Sequence, residues 1–170
     1  MNIKDPTPNT LSNPVVKIET TKPNWIEKFV IDTREVTHEG KTYSYLVVNE
    51  EEFGKKVSIP KTFASYSKEG LISISSNYPE KYRELGLTHE IREHNEHTGE
   101  NGCCLVCLKT ELEDLEKTEL DKKEYIQFRL GFFEDLVNYY DEKERAEYEN
   151  NLLENLIQSK NYLIEVLSSI

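Results

Sequence analysis

Cysteine, glycine and positive charge are all scarce in this chain, and each scarcity excludes something. Three cysteines among 170 residues, two of them adjacent, cannot pair into the framework of a small secreted domain, so thiols or metal ligands are expected instead. Seven dispersed glycines leave no glycine-rich phosphate loop. No apolar run reaches the roughly 18 residues that span a bilayer. The first residues, MNIKDPTPNT, lack the basic start and apolar stretch of a signal peptide, so a cytoplasmic protein without membrane contact is expected.

The shortage of positive charge is the most informative absence. Lys and Arg number 21 against 32 Asp and Glu, a net charge of −11. Residues 1–100 hold 16 acids and 13 bases, whereas residues 101–170 hold 16 acids and 8 bases. Phosphate contact needs Lys and Arg to displace counterions, so no direct nucleic-acid binding is expected. An acidic half of this kind either keeps the protein soluble or attracts a protein partner with a basic surface, including one that normally holds nucleic acid.

What is present builds a core. Ten tyrosines and six phenylalanines in a chain this long point to one domain with a partly aromatic interior. Residues 1–24 carry four of the six prolines and are expected as a flexible or extended arm. Residues 25–170 then form a single α+β domain: a small antiparallel sheet over 25–78 and about four helices over 79–170. The expected strands are WIEKFVIDTREVTH, TYSYLVVNE after a turn at Glu39-Gly40, KKVSIPKTFA, and GLISISS as an edge strand. The expected helices run from Pro79 to about His97, Cys103 to about Leu120, Lys122 to Tyr140 and Glu142 to Leu167.

The stretch GLTHEIREHNEHTGENGCCLVC, residues 86–107, holds three of the four histidines and every cysteine. On a helix, at about 100° per residue, His89, Glu90, Glu93, His94 and His97 share one arc of about 140°. Two metal sites follow from this. In the first, His89 and Glu93 are ligands one turn apart, Glu90 is the general base, and Glu111 or Glu113 of the next helix is a third ligand. In the second, His94, His97, Cys104 and Cys107 close around a structural zinc. Simpler readings stand beside both: a charged helix face, cysteines as small buried apolar groups, and histidines near a helix carboxyl end.

GLISISS, a proline, YPEKYRE and then THEIRE together resemble the core of zincin metallopeptidases, particularly the small glutamate-type ones, over roughly residues 70–113. The resemblance implies an edge strand lining a substrate cleft, His89 as zinc ligand, Glu90 as general base and Glu111 or Glu113 as third ligand. Glu93 stands where the family carries its second histidine, and a carboxylate there lowers the metal's effective charge. The resemblance therefore implies a zinc-dependent hydrolase or a degenerate relative of one. A second expectation rests on size and charge alone: a small acidic inhibitor, of the kind phages and bacteria encode against host defence, that binds a basic surface on a larger target.

Overall fold

The computed structural model describes residues 15–57, 62–96, 103–142 and 150–170. A five-stranded mixed sheet occupies the amino-terminal half and helices the remainder, an α+β arrangement. Strands β2 (Val30–His38) and β3 (Lys41–Val48) form a hairpin whose turn falls at Glu39-Gly40. Both turn residues have positive φ, 49° and 74°, which matches the right-handed twist of the strands and demands glycine at the second position. The other edge of β3 is shared. Strand β1 (Val16–Ile18) runs parallel along Lys41–Tyr43, and β5 (Ile72–Ser75) runs parallel along Leu46–Val48. Strand β4 (Ala64–Tyr66) pairs antiparallel with β5 and forms the outer edge.

Several sequence expectations are corrected here. The sheet is mixed, not purely antiparallel, because the long connection from β3 to β5 lets β5 return in the same direction. GLISISS is an internal strand, not an edge, and all four residues of β5 are buried. One of its two serines is satisfied by a side chain from another element: the Ser75 hydroxyl donates to Glu50 Oε2 at 2.9 Å, whereas the buried Ser73 hydroxyl has no hydrogen-bond partner. Within KKVSIPKTFA, Lys55 belongs instead to helix α1 (Glu50–Val57), and β4 starts only at Ala64. Asn49 Oδ1 caps that helix by accepting the Glu51 and Glu52 amides at 3.1 and 3.4 Å, and three glutamates follow at its positive end. Residues 24–29 coil into a 3-10 turn after Pro23, so the first long strand starts at Val30. The described part of the arm is pinned: the Thr21 amide donates to Gly70 O, and Thr20 Oγ1 accepts the Ile72 amide, both at 2.8 Å.

The sheet is covered on both faces, which is why β3 is buried along most of its length. On one face Leu46 and Val48 pack with Ile26, Phe29, Phe53 and Phe63. On the other, Tyr43, Tyr45, Val47, Ile72 and Ile74 meet the helices. These are α2 (Arg83–Glu96), α3 (Cys104–Leu115), α4 (Lys122–Glu142) and α5 (Asn150–Ser168). Each fully buried large side chain contributes about 1.5–3 kcal/mol.

Helix α2 approaches its surroundings through a glycine. A Cβ on Gly86 would lie 2.6 Å from Tyr78 Cζ and nearer still to the hydroxyl. Tyr78 is almost fully buried and packed edge-on against Phe128, so it cannot swing away. Gly86→Ala is expected to lower stability by about 1–3 kcal/mol, because overpacking exceeds the gain in helix propensity of about 1 kcal/mol. Chemical denaturation checks it; Tyr78→Phe combined with Gly86→Ala should recover part of the loss.

Candidate metal centre

Three helices supply the site. On α2, His89 and Glu93 are one turn apart, and His89 Nε2 lies 3.2 Å from Glu93 Oε1. The start of α3 adds Cys104, whose Sγ is 3.7 Å from the same nitrogen. Two turns along α3, Glu111 meets the other side of the imidazole. Its Oε2 is 2.7 Å from His89 Nδ1, yet no aligned hydrogen bond forms there, so the contact is an ion pair. From α4, the Tyr125 hydroxyl donates to Glu111 Oε1 at 2.6 Å, and Arg129 Nη2 donates to Oε2 at 3.1 Å. Arg129 Nε lies a further 2.8 Å from Oε1.

The charges cancel within this group. Glu111 has no exposed surface, and burial pushes its carboxyl up, but Arg129 and then His89 outweigh that and hold it below its ordinary value. Burial likewise pulls His89 down, while Glu93 and Glu111 raise it well above the usual histidine value. For Glu93 burial again opposes ionisation, and the His89 charge wins. At neutral pH the site therefore holds His89 and Arg129 as cations beside Glu93 and Glu111 as anions. Cys104 stays a thiol, because burial and then Glu93 push it up to about 11.

A cavity of about 230 Å³ opens beside these residues. Its polar side is His89, Glu90, Glu93, Cys104 and Arg129, with Ala64 and Ser65 of the edge strand β4 alongside. Phe132, Leu136 and Leu156 of α4 and α5 form an apolar wall. Glu90 is half-buried at this cavity, and burial, then Glu93, pushes its carboxyl up to about 8.

The residues singled out in the sequence thus separate. His89, Glu93 and Cys104 converge on one point, their donor atoms within 4.8 Å of one another. Glu111 lies behind the imidazole, and Glu113 is exposed. His94 stacks on Tyr66 with ring centroids 3.7 Å apart, Cys107 is buried, and His97 lies outside the described residues. Tyr125 and Arg129 were not expected here. The signal was an arginine inside the apolar stripe of α4, a position that burial allows only opposite a carboxylate.

The three donors form a group that could hold a metal ion. With bonds of about 2.0–2.3 Å, the edges of a tetrahedron are about 3.3 Å between nitrogen and oxygen and about 3.6 Å between nitrogen and sulfur. The observed 3.2 and 3.7 Å match both. The same gap between His89 Nε2 and Glu93 Oε1 is at hydrogen-bond distance.

Protonation of these groups sets part of the protein's stability. His89, raised when folded, contributes stability below about pH 6.5 that is lost as pH rises through its folded value. Glu93 and Glu111, lowered when folded, contribute above their ordinary value and lose it as pH falls. Glu90 is raised, so its cost grows as pH climbs from about 4.5 to about 8. Glu90→Gln is therefore expected to stabilise the metal-free protein at pH 8 by about 1–3 kcal/mol and flatten the decline between pH 5 and 8. Urea unfolding at pH 5 and 8 measures it; equal declines in both proteins would contradict it.

No family model matches this chain, and neither a curated protein nor a solved structure matches it, so the function of the site rests on its own donors, charges and cavity.

Proposed function

We propose that the protein is a zinc-dependent hydrolase of zincin-like architecture, acting on an amide bond next to an apolar side chain. The observation that carries this reading is the convergence of His89, Glu93 and Cys104 beside a cavity that Glu90 lines. One nitrogen, one oxygen and one sulfur donor suit zinc and leave a fourth position for substrate or water. Zinc held there would supply Lewis acidity toward a carbonyl and toward water.

The chain's own residues divide the remaining work. Glu90 would take a proton from the attacking water and return it to the leaving nitrogen, a task suited to a carboxyl poised near neutral pH. Glu111 holds the His89 ring by its contact with Nδ1, the arrangement commonly found behind metal-binding histidines. Cys104 stands in the role that the sequence assigned to Glu111 or Glu113. Phe132, Leu136 and Leu156 would seat a bulky aliphatic or aromatic side chain. His89 and Cys104 must both release protons to bind metal, so affinity should rise with pH.

Elemental analysis of dialysed, tag-free protein tests the reading. The expected result is about one retained zinc, lost in His89→Ala and in Cys104→Ser. Glu90→Gln should keep the zinc, while cleavage of fluorogenic peptides with apolar side chains falls about 10²–10⁴-fold. Cleavage that survives Glu90→Gln would overturn the catalytic role. No retained zinc would overturn the whole reading and return attention to an acidic surface for a basic protein partner, whose binding should weaken steeply with salt.

A further inference from the structure

A second group of ligand-type side chains lies at the other end of α2, about 10 Å along the helix from His89. His38 closes β2 and keeps only 8% of its surface exposed, and its Nε2 has no hydrogen-bond partner. A buried imidazole nitrogen left this way is unfavourable unless something satisfies it. The side chains that converge with His38 are Glu39, the first residue of the turn, and Glu96, the last residue of α2. One donor atom from each lies within 4.8 Å of the others.

We propose that His38, Glu39 and Glu96 form a second divalent-cation site, which fastens the β2–β3 turn to the carboxy-terminal end of α2. The charge favours it. The other charged groups acting on His38 are Arg92 and Asp114, joined by a hydrogen bond from Arg92 Nη2 to Asp114 Oδ2, and Asp114 also pairs with the exposed Lys117 at 2.8 Å. Two carboxylates, Glu39 and Glu96, converge directly on the one imidazole. Glu96 ends α2, where the helix dipole favours a cation. One nitrogen and two carboxylate donors, with both glutamates exposed, suit a zinc- or manganese-type ion that keeps several waters. This chemistry differs from the thiol-containing centre on the same helix.

Zinc titration of the full chain, followed in long-range proton–nitrogen spectra of its four histidines, reads the two sites separately. The imidazole signals are assigned with His38→Gln and His89→Gln. The expected result is a zinc-dependent shift of the His38 ring-nitrogen signals. Glu96→Gln should raise the zinc concentration needed by at least about tenfold, with unfolding temperature in the absence of zinc unchanged. A His89 response without a His38 response overturns this inference and leaves the proposed function standing. A His38 response without one at His89 supports it and counts against the proposed function. A His38 shift that persists unchanged in the Glu39→Gln, Glu96→Gln double variant overturns it as well.

Discussion

One buried carboxylate organises the helical half. Glu111 has no contact with solvent, yet it stays ionised because two cations and a hydroxyl converge on its two oxygens. His89 belongs to α2, Glu111 to α3, and Tyr125 and Arg129 to α4, so the requirement to satisfy one charge ties three helices together. Removing any one charged partner would strand another charge in the interior, at a cost of about 3–5 kcal/mol. Such a network sets the mutual position of helices more sharply than apolar packing, which tolerates sliding.

That constraint also decides which face of His89 is available for chemistry. With Nδ1 committed to Glu111, only Nε2 points toward Glu93, Cys104 and the cavity. His89 Nε2 and Glu93 Oε1 lie 3.2 Å apart, a spacing that suits a hydrogen bond and equally the edge of a metal's coordination shell. Under the proposed function, proton and metal would compete for this one position. The cavity adds a division of labour, with ionisable groups on α2 and α3 and an apolar wall on α4 and α5.

Much of this was legible in the residues themselves. The Glu39-Gly40 turn, the alternation of Tyr43, Tyr45 and Val47, and the shared helical face of His89 and Glu93 all follow from local periodicity and turn chemistry. Helix α1 was legible too, since an asparagine followed by three glutamates is a helix-start signal that an apparent strand pattern outweighed. The interior position of β5 was not, because Ser73 and Ser75 look solvent-facing until Glu50 is seen to reach Ser75 from a different element. The pairing of Cys104 with His89 was also hidden. His94 lies closer in sequence to the cysteines, but the approach of α3 to α2 places Cys104 against the earlier histidine, and His94 stacks on Tyr66 instead. Contacts between elements of this kind leave no periodic trace in either segment.

The identity of the sulfur donor distinguishes this centre from any other arrangement of the same stretch. Cobalt(II) substituted for zinc reports it directly, because a coordinated thiolate produces a near-ultraviolet charge-transfer band. The expected result is such a band in the wild type, its loss in Cys104→Ser, and its retention in Cys107→Ser. A wild-type protein without the band, or one whose band follows Cys107 and ignores Cys104, would contradict a centre built on His89, Glu93 and Cys104.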